Sequence, residues 1–209
     1  MITRFKDRRD AGAKLAEKLY HLKGEDTLVL AIPRGGVIVG DVIAKTLDSK
    51  LDVVCPRKLG ALGNPELAIG AIMHDGTYIL NENIIRMLRI PDNYIREEME
   101  KKKQEALKRL MLYRGNDRYE LDNKTIILVD DGVATGATAL VAAKWLTMHN
   151  IKRLIIAMPV GPPDTLERLR QFGDVIAILM PYDFGAVGEF YDDFGEVDDS
   201  TVLRVLANY

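Results

Sequence analysis

The apolar residues of this chain gather in short, nearly continuous runs: Thr27 to Ile32, Leu51 to Cys55, Thr125 to Val129, Arg153 to Pro159 and Val175 to Met180. Runs of this length and density suit strands buried on both faces, as in a parallel sheet, rather than half-solvated strands that alternate apolar with polar. Helical patterns separate them. Leu15, Leu19 and Leu22 recur at helical spacing in Asp10 to Leu22, and Val37 to Leu47, Gly136 to Met148 and Pro163 to Phe172 also read as helices. Strand and helix therefore alternate over 27–58 and again over 125–180. This predicts an α/β fold, doubly wound, with a mainly parallel sheet, right-handed crossovers and helices on both faces. In such folds a ligand sits beyond the carboxyl ends of the strands.

The middle of the chain departs from that rhythm. Ala68 to His74 and Thr77 to Leu80 read as a hairpin around Asp75-Gly76. Asn83 to Arg89 forms a short helix, and after Pro91 a long charged helix runs from Tyr94 to Tyr113. Its Glu97-Glu98 and Lys101-Lys102 pairs are i,i+4 neighbours, and the charge run reads as a solvated face. The expected organisation is a single domain over 1–209, with a helical insertion at 83–114. With 29 basic and 31 acidic side chains, formal net charge is −2, which gives no electrostatic case for nucleic-acid binding. The single cysteine, Cys55, cannot form an intrachain disulfide and reads as a buried small hydrophobe. The N-terminal residues lack the apolar core of a secretory signal, and no run approaches the ~20 residues of a spanning helix. The expectation is a cytoplasmic protein without a membrane partner.

The chemistry concentrates in Leu128 to Leu140. A buried strand runs into two adjacent acids, Asp130 and Asp131, then into the small-residue loop Gly132-Val133-Ala134-Thr135-Gly136-Ala137-Thr138, where a helix begins. Backbone N–H groups at such a helix start can wrap a phosphate, with the hydroxyls of Thr135 and Thr138 as further donors. Gly132 and Gly136 permit close backbone approach and positive φ. No lysine lies between Lys124 and Lys144, so this is not a nucleotide P-loop, and the dinucleotide pattern Gly-x-Gly-x-x-Gly is absent. Acids just ahead of a phosphate loop can accept hydrogen bonds from the vicinal hydroxyls of a ribose whose 5′-phosphate lies in that loop. Beside a diphosphate they also suit magnesium, an oxygen-seeking ion that keeps several waters. A plain strand-to-helix turn with acidic capping is the competing reading.

Asp130-Asp131-Gly-Val-Ala-Thr-Gly-Ala-Thr138 resembles the signature of type I phosphoribosyltransferases, and the element order agrees over most of 27–180. The resemblance implies an enzyme with a small hood over its site. That enzyme transfers the 5-phosphoribosyl group from phosphoribosyl diphosphate to a nitrogen base, a purine or related heterocycle, with Mg2+ and release of pyrophosphate. Asp130, Asp131, Arg34 and Lys58 would carry the chemistry, and Asp130 and Asp131 would hold the metal directly or through water.

Ala31-Ile-Pro-Arg-Gly-Gly36 resembles the family's diphosphate loop, with Gly35 and Gly36 supplying amides and Arg34 a bidentate partner for phosphate oxygens. An ordinary Pro/Gly turn is the alternative. A basic residue at Arg57-Lys58 would reach the diphosphate, unless the pair is merely solvated. The Gly-rich stretch from Gly60 to Gly70 matches either a mobile covering loop, with Asn64 and Glu66 as its polar candidates, or a plain surface loop. From 184–199 would come part of the hood, where Phe190 or Tyr191 either stacks on the base or packs the hood onto the sheet. Ala134 stands where many members acting on 6-oxopurines carry a carboxylate, which weakens that substrate class. The three histidines, His21, His74 and His149, show no metal-ligand spacing. The resemblance further implies a homodimer. A regulatory protein that senses phosphoribosyl diphosphate without turnover is the alternative function, since fold does not fix activity.

Overall fold

The computed structural model describes residues 3–209. Its elements in chain order are α1 (Arg8–Leu19), β1 (Thr27–Ala31), α2 (Gly35–Leu47), β2 (Lys50–Val53), β3 (Arg57–Ala61), β4 (Asn64–Ile72), β5 (Tyr78–Leu80), α3 (Glu82–Leu88), α4 (Asp92–Arg114), β6 (Thr125–Val129), α5 (Ala137–Thr147), β7 (Arg153–Val160), α6 (Pro163–Leu169), β8 (Asp174–Leu179) and α7 (Asp199–Leu206). Five strands form one parallel sheet in the order β2-β1-β6-β7-β8. The chain winds outward from β1 to β2 on one side and from β6 to β7 to β8 on the other. The reversal falls between β1 and β6, and a crevice opens at their carboxyl ends.

Both faces of this sheet are covered, which is why the strand sequences are so uniformly apolar. Leu28, Leu30, Ile126, Leu128 and Ile156 point to one face and pack with Leu140, Trp145 and Leu166. Their neighbours Val29, Ala31, Ile127, Val129 and Ile155 point to the other, against Leu15, Leu19, Val37, Ile43 and Leu110. The period of two is present but hidden, because neither side of the strands meets water.

A second, antiparallel sheet in the order β3-β4-β5 stands apart from the first. Its own core joins Leu59, Ile69 and Ile72 to Ile85, Ile90 and Ile95. The β4-β5 hairpin turns at Asp75-Gly76, with Ile72 opposite Tyr78 and Gly76 at φ +99°. The stretch from Gly60 to Gly70 is not an open loop, mobile or otherwise. Most of it forms β4, which pairs with β3 through a tight turn at Leu62-Gly63, Gly63 having φ +76°. Arg57 and Lys58 also lie outside the main sheet. After Val53 the chain crosses through Val54, Cys55 and Pro56, and the basic pair opens β3. Glycine makes this hairpin feasible, since a Cβ at Gly60 would stand 2.7 Å from the Pro65 carbonyl oxygen.

Two further features were not legible in the sequence pattern. A C-terminal helix, α7, is capped by Asp198, whose carboxylate accepts from the Thr201 N–H. The N-terminal segment pairs with the segment after β8, where the Phe5 N–H donates to the Phe190 carbonyl at 2.8 Å. No helix among the described residues is long and apolar enough to cross a membrane.

Candidate active site

Register decides what meets in the crevice. Ala31 lies beside Val129, and the Ile32 N–H donates to the Val129 carbonyl at 2.8 Å. The chain leaving β1 as Pro33-Arg34-Gly35-Gly36 is therefore held against the chain leaving β6 as Asp130-Asp131. The approach is so close that a Cβ on Gly35 would collide with the Asp131 carboxylate, and one on Gly36 would stand 2.9 Å from the Asp130 Cα. Only glycine lets the two loops share this space.

These loops form the floor of a cleft of about 940 Å³. Arg34, Gly35, Arg57, Lys58 and all nine residues from Asp130 to Thr138 line it. The loop after β6 ends at Gly136, which takes the left-handed φ of +74° as the N-cap of α5. No side chain caps that helix, so its first-turn N–H groups face the cleft without a side-chain partner. The loop is braced from behind. Thr165 Oγ1 donates to the Ala134 carbonyl at 2.8 Å, and Arg168 Nη1 donates to the Thr135 carbonyl at 3.4 Å.

The paired acids sit in different surroundings. Asp130 Oδ1 accepts from the Asp131 N–H at 2.8 Å. Burial, and then the neighbouring Asp131 charge, push the Asp130 carboxyl well above the usual carboxylate range. Asp131 instead meets a cation, since Arg8 Nε donates to its Oδ2 at 2.7 Å. Arg8 also donates to the Gly195 carbonyl at 2.8 Å and lies 3.8 Å from the centre of the Phe194 ring. Arg34 is partnered as well: its Nη2 is 2.8 Å from Glu196 Oε1 and its Nη1 is 3.9 Å from Asp199 Oδ1. Cys55 lies in the cleft wall but is buried, and desolvation raises its thiol to about 12, so it stays protonated and non-nucleophilic near neutral pH. None of the three histidines lines the cleft.

Phe190 and Tyr191 lie elsewhere. Tyr191 is only 2% exposed, its ring 5.2 Å from Phe5, and its hydroxyl donates to the Asp131 carbonyl at 2.6 Å. Phe190 stacks on Phe184 at 5.2 Å. Both rings pack the segment after β8 onto the body of the protein, and Val187, Phe194, Gly195, Glu196 and Val197 are what that segment presents to the cleft. The charged run of α4 also differs from its sequence reading. One stripe, comprising Glu98, Lys102, Glu105 and Arg109, is not a solvated face but a wall of the cleft. Sequence reasoning missed Arg8 and Arg109 because each comes from a helix remote in sequence from the loops it faces.

The described residues contain no cluster of three or more His, Cys, Asp or Glu able to hold a metal. Two acids among several cations fit an ion that takes most of its oxygens from a bound diphosphate and from water.

Comparison with known proteins agrees with this geometry. The sequence profile of the phosphoribosyl transferase domain matches residues 1–184. A Mycobacterium tuberculosis protein named "Putative phosphoribosyl transferase MT0597" is 40% identical over 205 residues, covering 97% of this chain and 46% of that protein. The chain thus spans about half the length of the curated relatives it matches. The crystal structure of TT1426 from Thermus thermophilus superposes with a TM-score of 0.81 at 42% identity, covering 98% of both chains. A hypoxanthine phosphoribosyltransferase from Staphylococcus aureus gives a TM-score of 0.52 at 13% identity, over 88% of this chain and 79% of that one, a likeness of fold alone. With its signature loop at the switch point of the sheet and the family profile over most of its length, this chain belongs to the phosphoribosyl transferase domain family.

Proposed function

We propose that the chain transfers the 5-phosphoribosyl group of phosphoribosyl diphosphate to a nitrogen base and releases pyrophosphate. The observation that carries this reading is the meeting of Asp130-Asp131 with Arg34-Gly35-Gly36 across the β1/β6 crevice, beside the uncapped start of α5. In this reading the loop from Thr135 to Thr138 holds the 5′-phosphate through backbone N–H groups and two hydroxyls. The acids accept from the ribose hydroxyls, and Arg8 holds the Asp131 carboxylate in its orientation. Arg34 exchanges Glu196 for the diphosphate, while Arg57 and Lys58 face that group from β3.

The C1–oxygen bond to the diphosphate breaks as the base nitrogen bonds to C1, through an oxocarbenium-like state. Bound magnesium would supply charge neutralisation to the departing diphosphate. The chain's own contribution is positioning and fixed positive charge at the leaving end. The base is a purine or related heterocycle held under 184–199, where Val187 and Phe194 replace Phe190 and Tyr191 as the residues that face it. The whole of 1–209 works as one domain, with 83–114 as a helical insertion, in a cytoplasmic homodimer.

The test is pyrophosphate release from phosphoribosyl diphosphate and Mg2+ across a panel of purine and pyrimidine bases. Release with one base establishes the activity and names the acceptor. Tight binding of phosphoribosyl diphosphate with no release from any base would replace the transferase by a sensor.

A further inference from the structure

We infer that Arg109 of α4, acting with Arg57, is a binding residue for the diphosphate end of the ligand, and that Glu105 is the counter-ion with which that diphosphate competes. This rests on the proposed reading of the cleft as a phosphoribosyl diphosphate site.

Helix α4 is fastened to β3, the strand that carries Arg57. Tyr94 Oη donates to the Gly60 carbonyl at 2.9 Å, and Glu98 Oε1 accepts from the Gly60 N–H at 3.3 Å. Along the same stripe, further up the helix, stand Lys102, Glu105 and Arg109, all lining the cleft. Their pairing is incomplete. The Arg57 Nε is buried and makes no hydrogen bond. Glu105 approaches it only to 3.6 Å, because the same carboxylate is held by Lys102 at 3.0 and 3.1 Å. Arg109 has no hydrogen bond or ion pair among the described residues. Arg57 and Lys102 therefore share the Glu105 carboxylate while the Arg109 guanidinium has no partner among the described residues, which leaves positive charge in excess at this end of the stripe. Burial, and then the Arg109 charge, lower the pKa of the Arg57 guanidinium.

This excess lies at the Arg34 end of the cleft. Tyr113, one turn beyond Arg109, donates to Asp199 Oδ1 at 2.5 Å, and Asp199 lies 3.9 Å from Arg34. An anion that several guanidinium forks can grip at once suits such a place, and a diphosphate presents enough oxygens to do so. The monophosphate of a bound ribose 5-phosphate would lie at the opposite end, by α5. The two ends can thus be separated by ligand.

Calorimetry with inorganic pyrophosphate plus Mg2+, and separately with ribose 5-phosphate, on the intact chain tests this. Arg109→Gln should weaken pyrophosphate roughly ten- to a hundredfold, the loss of one or more charged hydrogen bonds, and leave ribose 5-phosphate unchanged. Unaltered ribose 5-phosphate affinity also shows that the variant is folded. Glu105→Gln should tighten pyrophosphate, because the competing carboxylate charge is gone. Wild-type pyrophosphate affinity in Arg109→Gln, or equal losses for both ligands, would overturn the inference while leaving the proposed function standing. A wild-type protein that binds neither ligand would sink that function itself, and this inference with it.

Discussion

The two charged walls of the cleft are built in opposite ways. The loop from Asp130 to Thr138 is contiguous in sequence, follows one buried strand and owes its shape to local chemistry: glycine at a positive φ and a helix start without a side-chain cap. The opposite wall is composite. Arg57 opens a strand of the small sheet, Lys102, Glu105 and Arg109 come from a long helix, and Arg34 from the loop after β1. The first wall is fixed by what each residue is, the second by how distant elements pack. A ligand with one phosphate near α5 and two near Arg34 would sample both.

The largest expected effect falls on the contiguous wall. Asp130→Asn together with Asp131→Asn should abolish magnesium-dependent binding of phosphoribosyl diphosphate, a loss of more than about a hundredfold, since several charge-assisted contacts go at once. Unchanged affinity by calorimetry would remove the acids from the site. On the composite wall, Arg34→Ala should cost about tenfold or more for phosphoribosyl diphosphate and far less for ribose 5-phosphate. Equal losses for both would mean that the walls do not divide the ligand.

A subtler separation uses pH. The Asp130 carboxyl is raised by burial and by Asp131, so its native form holds a proton that the unfolded chain releases. Its contribution to stability therefore falls as pH rises above the unfolded carboxylate value of about 4. Ligand binding runs the other way, because ribose hydroxyls and magnesium need the ionised form, and affinity should climb with pH over the same range. Asp130→Asn should flatten the fall in stability; thermal unfolding and titrations from about pH 4 to 8 would show it. An unaltered stability slope in the variant would assign the titration to another group. The smallest effect is expected of Tyr191→Phe, which removes one buried hydrogen bond to the Asp131 carbonyl. About 1 kcal/mol of stability should be lost, with base affinity untouched. A selective loss of base affinity would return Tyr191 to the site.

Much of the molecule was readable from its residues. Each expected strand of the parallel sheet is present within two residues of its expected bounds, because strands buried on both faces leave an unmistakable apolar run. The long helix was equally visible, yet its role was not. Alternating charge looks the same whether a stripe faces water or a polar cleft, and only packing against β3 aims Lys102 and Arg109 inward. The aromatic pair near the end stayed open between two readings for a related reason: a ring suited to stacking on a base is equally suited to filling a core, and Phe5 claimed Tyr191. The Gly60 to Gly70 stretch was read as a loop because glycines punctuate it, while pairing with β3 turned most of it into a strand.

The sequence by itself determined the parallel sheet and the acidic loop. Those depend on burial, backbone freedom and capping among near neighbours. Tertiary structure alone decided where the sheet reverses, that Arg8 clamps Asp131, that Tyr191 is core and that α4 lends a charged wall to the cleft. Each of those joins residues from separate elements, and electrostatic partnership depends on distance in space, which no local pattern records.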